Sequence, residues 1–324
     1  MKREEKDVLL ACMEMTIREQ EVLAPWTTFK IGGPAKFFVE VSSAEGIREA
    51  LVWAKERDER IIFIGGGSNI LVSDAGFHGL AVHMRETKPE VSGASVRAFA
   101  GSTLASVVSA AAEASLAGME NLAGIPGSLG GAVRGNAGAF GTEMKNVVSS
   151  VDAVHRETGE SKTFSPEECA FSYRMSVFKK TSDWIVAAAT CELAPGNREE
   201  LEKIMEDIVA KRNARQDQSA RCAGSFFMNP AVKSESLRRE FETHAGEPCR
   251  GGKVPAGWLI DRLDLRGFRI GGAIVSESHP NYILNAGNAT ADDVLMLMAY
   301  IKTKVRDTFG VQLREEVQLV GFDR

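Results

Sequence analysis

Apolar positions along the chain change period several times, and each period predicts an element. Between 44 and 57 they recur at Ile47, Leu51 and Ala54, spaced i, i+4, i+7, which predicts a helix. The run Ile61-Ile62-Phe63-Ile64 is continuously apolar and predicts a buried strand, which leads straight into Gly65-Gly66-Gly67-Ser68-Asn69. Short strand-like runs recur at 80–84, 96–100, 147–154 and 184–193, with a helical stretch at 103–116 among them. A second helix is predicted over 198–213, where Leu201, Ile204, Met205, Ile208 and Val209 form one apolar stripe. It is a natural connector to a second domain. A third helix begins after Thr290, a good N-cap, with Asp292 and Asp293 in a first turn that favours negative charge. Val294, Leu297, Met298, Ile301 and Val305 make its buried face and Gly310 stops it. Strands and helices mix irregularly and no repeat is visible, which argues an α+β fold over a regular βαβ array.

Length and composition narrow the class. A chain of 324 residues suggests about two domains. With 44% apolar and 26% charged residues there is enough apolar surface to exclude a largely disordered chain. A net charge of −5 argues against a nucleic-acid binder, which would carry a basic excess. No apolar run approaches the ~18 residues of a membrane span. The apolar run at 8–13 is too short for a signal-peptide core and is closed by Glu14, so it reads as a surface-docked N-terminal helix. The five cysteines, at 12, 169, 191, 222 and 249, include no C-x-x-C pair, and an odd, sparse set fits reduced thiols in a cytosol. A cytoplasmic enzyme or binding protein with no nucleic-acid or membrane partner is expected. Neither H-E-x-x-H nor G-x-S-x-G occurs, and no metal site is expected. Chemistry must then rest on an organic cofactor or on dispersed side chains.

Two glycine-rich segments stand out. Residues 118–141 hold eight of the 31 glycines, a composition poor for either helix or strand. Such a segment lets the backbone approach a ligand closely and offers N–H groups to an anion. Ile125, Leu129 and Val133 supply apolar anchors that a floppy linker would lack. The Gly65–Asn69 segment follows a strand, as phosphate-binding loops do, yet the Rossmann fingerprint fails at Ile70 and the Walker motif fails because Val254 follows Gly252-Lys253. Two separate glycine loops suggest an elongated ligand with a central pyrophosphate, a dinucleotide or flavin.

The specific signal is the order of several motifs. Thr27-Thr28-Phe29-Lys30-Ile31-Gly32-Gly33-Pro34-Ala35 precedes Gly65-Gly66-Gly67-Ser68-Asn69, and Gly124-Ile125-Pro126-Gly127-Ser128-Leu129-Gly130-Gly131-Ala132-Val133 follows. Then come Tyr173-Arg174-Met175-Ser176-Val177-Phe178-Lys179, Ala223-Gly224-Ser225-Phe226-Phe227-Met228-Asn229-Pro230, Ala256-Gly257-Trp258-Leu259-Ile260-Asp261 and Ile270-Gly271-Gly272-Ala273-Ile274-Val275-Ser276. Residues 313–321 close the series. Over roughly 22–322 the chain resembles the UDP-N-acetylenolpyruvoylglucosamine reductases, flavoenzymes of bacterial peptidoglycan synthesis. The resemblance implies a helical lead-in at 1–27, then an FAD-binding domain of the vanillyl-alcohol-oxidase (PCMH) type at 28–197, in two subdomains of about 28–85 and 86–197. A smaller C-terminal α+β substrate domain follows at 198–324, its last strand returning to the active site.

The resemblance also implies a reaction and its residues. NADPH passes hydride to FAD, the flavin N5 gives hydride to C3 of an enolpyruvyl group on a UDP-sugar, and a protein acid protonates C2. Charge that builds at C2 spreads into the neighbouring carboxylate, where fixed cations and proton donors favour the transition state. By resemblance Ser225 is the acid, and Arg174 and Glu316 sit at that carboxylate. Glu316 beside an anion makes sense if it is protonated, as burial near like charge would favour. Cofactor contacts fall to Gly65, Gly66, Gly67, Ser68, Asn69, Ile125, Pro126, Gly127, Ser128, Asn136 and Gly138, and substrate contacts to Tyr173, Arg212, Asn229 and His279. Arg212 follows Leu201 by a rotation of about 1100°, roughly 20° past three turns, so it falls on the apolar stripe of its helix.

Ser225 follows Arg174 by 51 residues, too few for the tyrosine-bearing loop of the family's longer class. The chain therefore resembles the shorter class. Met228 stands where the family usually has Lys, Gln318 where Arg usually follows the catalytic Glu by two, and Gln216-Asp217 where Gln-Pro is common. A monomer is expected. Two other readings are another FAD oxidoreductase of the same fold acting on a small alcohol or sugar, and a nucleotide-sugar sensor. The first would share the glycine loops but has no reason to keep Tyr173-Arg174, Ser225 and Glu316 together.

Overall fold

The computed structural model describes residues 15–215, 220–246 and 248–322. The helix expected at 8–13, Cys12 and Gln216-Asp217 lie outside the described residues. The chain divides into two compact units, and the division does not follow the sequence in simple halves. The first unit holds Ala35–Gly66, His78–Ala210 and the described residues before Val22; the second holds Val22–Pro34, Gly67–Phe77 and the described residues from Lys211 onward. Against the expected boundary at 197/198, two short early segments thus join the C-terminal part and the helix from Arg198 is shared.

The first unit is built on two sheets. A four-stranded sheet runs in the order Arg18–Val22, Pro34–Val41, Phe77–Met84, Ile61–Ile64, with the last two parallel. A five-stranded sheet runs Ser161–Phe164, Val148–His155, Trp184–Glu192, Ser95–Phe99, Glu90–Ser92, with antiparallel neighbours. Ser43 caps the helix Ala44–Glu56 by accepting from Gly46 N–H, and the predicted apolar positions Ile47, Leu51 and Ala54 are buried. Thr103 caps Leu104–Glu113 in the same way. Both helices feed the first core, with Leu80, Val82, Val96, Leu129 and Val151.

Three expectations are corrected here. The helical lead-in is not helical where it is described: Arg18–Val22 is a strand at the sheet edge and Ala24–Trp26 a single 3-10 turn. Its local sequence has no strand pattern, so the strand is supplied by its neighbour Pro34–Val41. The segment 118–141 is not all irregular, since Leu129–Arg134 forms a short helix capped by Ser128. A Cβ on Gly130 would come 2.6 Å from Ala100 Cβ, so the glycine is there for close packing and the helix forms despite its weak propensity. Finally Ile204 is 40% exposed: at 300° from Leu201 it lies on the rim of the stripe, which runs through Leu201, Met205 and Ile208.

The second unit has the sheet order Cys222–Ser225, Tyr282–Asn285, Ala273–Val275, Arg269–Ile270. Helices Glu235–Ala245, Ala256–Asp261 and Ala291–Phe309 accompany it, and Gln318–Val320 pairs in parallel with Ile70–Val72. Its core joins Phe226, Phe227, Leu259, Leu297 and Ile301 to Phe29 and Leu71 from the two early segments. The last helix starts with a capping box of Thr290 and Asp293 and ends on Gly310 at φ +65°. Val294, Leu297, Ile301 and Val305 are buried as predicted, with Met298 partly so. Among the described residues no helix is long and apolar enough to cross a membrane. Cys169 and Cys191 are free and buried, and burial pushes both thiols up to about 12, which makes them inert packing groups.

Candidate active site

In the first unit the two glycine loops lie against each other. A Cβ on Gly66 would come 2.8 Å from Gly127 Cα, and one on Gly65 would come 2.1 Å from Ser128 Oγ. Gly127 sits at φ +113°, a conformation closed to ordinary side chains. The loop is fastened by Leu104 N–H to Gly127 O, Leu129 N–H to Ser102 O and Gly130 N–H to Ala100 O. None of these bonds uses the N–H of Gly65, Gly66, Gly127 or Ser128. Backbone thus meets backbone at Gly66 and Gly127 while the small Ser128 side chain fills the space beside Gly65, an arrangement whose amides suit a diphosphate. Ile125 is half-buried against the first core and Pro126 is exposed at the loop surface.

Asn136 is more constrained than a ligand contact would need. It is 1% exposed, lies at φ +43°, and spends its amide on Glu143 Oε2, Ser172 O and Lys145 N–H. Gly138 pairs with Glu143, and its carbonyl accepts from Arg174 Nη1 at 3.5 Å. Arg174 and Tyr173 form a tight turn closed by reciprocal backbone bonds between Ser172 and Met175. Arg174 takes φ +55°, which costs a non-glycine residue about 1–2 kcal/mol, and Tyr173 is 38% exposed beside it. Burial opposes ionisation of Glu143, but hydrogen bonds from Lys145 and Asn136 and the charges of Lys145 and Arg174 outweigh it and hold the carboxyl below its usual range.

In the second unit Ser225 ends the strand Cys222–Ser225 and is pinned from both sides. Phe226 N–H donates to Asn281 O at 2.7 Å, and Asn281 exchanges side-chain bonds with both the N–H and C=O of Phe227. On the other side Glu316 N–H donates to Phe226 O at 2.9 Å and Met228 N–H to Arg314 O. Asn69, in the same unit, is tied to this edge: its Nδ2 donates to Glu316 O and its carbonyl accepts from Gln318 N–H. Gly67 is held in the same unit, its carbonyl accepting from Thr28 N–H, and Ser68 lies between it and Asn69.

The Tyr282 hydroxyl marks where the polar side chains of this unit converge. Ser225, Cys222, Arg212 and Glu316 all act on its ionisation. Its pKa is pushed up, first by burial and then by Cys222 and Glu316, against the opposing pull of Arg212 and Ser225. The His279 ring packs against the Tyr282 ring at a tilt of 51°, with centroids 4.3 Å apart. Asn229 commits its carbonyl oxygen to Ala256 N–H. Of the residues singled out in the sequence, the second unit thus brings together Ser225, Glu316, Arg212 and His279, and the first brings Arg174 to Gly138. Sequence reasoning missed Tyr282. Its place depends on a bulge at Gly224, inside the strand Cys222–Ser225, which leaves no local signal at Tyr282.

An α+β protein with a pair of glycine loops that suits a diphosphate, and with a separate polar cluster, has the parts that an enzyme with a dinucleotide cofactor needs, and known proteins bear on this directly. Residues 35–165 match an FAD-binding domain family, and residues 216–320 match the C-terminal domain of UDP-N-acetylenolpyruvoylglucosamine reductase. A reductase of that name from Solibacter usitatus is 38% identical over 300 residues, covering 92% of this chain and 95% of its own. One from Carboxydothermus hydrogenoformans is 38% identical over 98% of both chains. The crystal structure of the enzyme from Thermus caldophilus superposes with a TM-score of 0.74 at 30% identity, over 94% of this chain and 99% of that one. The chain belongs to the UDP-N-acetylenolpyruvoylglucosamine reductase family. It is an oxidoreductase of peptidoglycan synthesis with FAD as cofactor.

Proposed function

We propose that this chain, as a cytoplasmic monomer, uses NADPH to reduce UDP-N-acetylglucosamine enolpyruvate to UDP-N-acetylmuramate. The observation that carries the reading is full-length similarity to reductases of this name, at 38% identity over 98% of the chain. When bound, FAD supplies the redox chemistry, taking hydride from NADPH and giving hydride to C3 of the enolpyruvyl group. The chain does the rest. Backbone amides of Gly65, Gly66, Gly127 and Ser128 hold the cofactor diphosphate, with Gly67, Ser68, Asn69, Ile125, Pro126 and Gly138 around it. Asn136, whose side chain is committed to protein groups, sets the shape of that wall.

Ser225 protonates C2: its O–H bond breaks as the C2–H bond forms. Arg174 and Glu316 face the substrate carboxylate, into which the charge at C2 spreads, and stabilise it most in the transition state. Tyr173, Arg212, Asn229 and His279 line the UDP-sugar. Residues 28–197 serve the cofactor and 198–324 the substrate, with the last strand returning to the active site. The reading is supported by the two clusters described above, the glycine loops with Arg174 at Gly138 in one unit and Ser225, Glu316, Arg212 and His279 in the other.

The test is an anaerobic titration of the purified protein. It should be yellow, bleach with NADPH, and recover its colour with the enolpyruvyl UDP-sugar alone. Bleaching of the oxidised flavin by a small alcohol or sugar, with no recovery of colour on adding the enolpyruvyl compound, would favour another oxidoreductase of this fold. A colourless protein that binds the UDP-sugar without turnover would favour a sensor.

A further inference from the structure

A β-bulge puts Ser225 opposite Tyr282. Cys222 pairs with Leu284 and Ser225 with Tyr282, so the first strand uses one residue more than its partner. Gly224 absorbs the extra residue at φ +74°. In an unbroken ladder Ser225 would oppose Asn281 and point to the face away from Cys222. With the bulge it shares the Cys222 face, and Tyr282 stands directly across from it. The register therefore sets the serine side chain beside the tyrosine side chain, and Ser225 acts on the ionisation of the phenol. Tyr282 is also braced, by the His279 ring at 4.3 Å and by its own N–H to His279 O at 2.8 Å. Ser225 is held by the bonds of Phe226 and Phe227 to Asn281.

We propose that Tyr282 is a positioning residue for the Ser225 proton: its O–H donates to Ser225 Oγ, directs the serine proton toward substrate C2, and refills Ser225 as that proton leaves. The inference rests on the reading of Ser225 as the proton donor. A serine that donated to Tyr282 would have no proton aimed at the substrate, so the productive direction of the bond is from tyrosine to serine. In bond terms, Ser225 O–H breaks as C2–H forms, Tyr282 O–H breaks as Ser225 O–H is remade, and solvent returns a proton to Tyr282 afterwards. No electrons change hands. Burial raises the Tyr282 pKa, yet a phenol, with pKa near 10 in water, starts as a far better acid than an aliphatic hydroxyl, which eases the objection to serine as an acid. The groups facing the phenol are Cys222, Arg212, Glu316 and His279.

Tyr282→Phe removes the hydroxyl and leaves the ring on His279. The variant should keep its flavin, reduce it normally with NADPH, and bind the enolpyruvyl sugar with Kd within twofold. Its flavin reoxidation should slow about tenfold, the weight of one hydrogen bond felt in the transition state. The dependence of that rate on deuterium fraction should change from curved, with two protons in flight, to linear. Added to Ser225→Ala, Tyr282→Phe should cost nothing further. Reoxidation within twofold of wild type while Ser225→Ala is severely slowed would overturn the role of Tyr282 alone. So would a full tenfold loss added on top of Ser225→Ala. A mild Ser225→Ala would overturn the proton-donor reading and this inference with it.

Discussion

Ser225→Ala should leave flavin reduction by NADPH near normal and slow flavin reoxidation by the enolpyruvyl sugar by ~10²–10⁴-fold, the range attributed to general acid catalysis. The asymmetry follows from where the proton is needed. Reduction of the flavin consumes no proton at C2, whereas reoxidation cannot finish without one. Ser225 is also fixed tightly enough for the job, since its strand is tied to Asn281 on one side and to Glu316 and Arg314 on the other. Such fixing is what lets a poor acid act at all. Ser225→Cys should recover part of the loss, because a thiol can donate from almost the same place. Stopped-flow absorbance of the flavin in each direction gives both rates. Reoxidation within a few-fold of wild type would reduce Ser225 to a residue that merely ends a strand.

Gly127→Val should purify folded and colourless. Gly127 lies at φ +113°, where a β-branched residue is strained whatever space surrounds it. Its Cα is also the atom that a side chain on Gly66 would strike, so the two loops have no slack between them. Any shift of the Gly127 backbone moves amides needed at the cofactor diphosphate, while the core anchors Leu129 and Val133 stay buried. Flavin content should fall by more than tenfold at the flavin concentrations present during purification, with helix content by circular dichroism unchanged. Full flavin in a folded Gly127→Val variant would show that the diphosphate lies elsewhere.

Elements with a local signature were legible in the sequence. The helices Ala44–Glu56 and Ala291–Phe309 follow from apolar spacing and caps that act within a few residues. What depended on distant pairing was not legible. The strand Arg18–Val22 exists because Pro34–Val41 offers it an edge, and Leu129–Arg134 is helical because Gly130 packs on Ala100. The joining of residues 22–34 and 67–77 to the C-terminal part was equally hidden, since it rests on pairings such as Gln318–Val320 with Ile70–Val72.

The site shows the same division. The glycine loops and Ser225 could be picked out as motifs, because close backbone approach demands glycine in any context. Asn136 is a cofactor contact by resemblance alone, and only the structure shows its amide spent on Glu143, Ser172 and Lys145. Tyr282 could not be picked out, because its partnership with Ser225 depends on a one-residue bulge in the register. A slip of one residue reverses which face a side chain takes.

The most direct test of the reaction assigned to this chain is a single turnover without NADPH in solution. Enzyme reduced in advance and freed of excess reductant is mixed anaerobically with one equivalent of the enolpyruvyl UDP-sugar. The sugar is then recovered and weighed by mass spectrometry. The account predicts that the flavin returns to its oxidised spectrum as the sugar gains two hydrogens, one at C3 and one at C2, in equal amount to the flavin oxidised. A flavin that stays reduced while the sugar is recovered unchanged would contradict it.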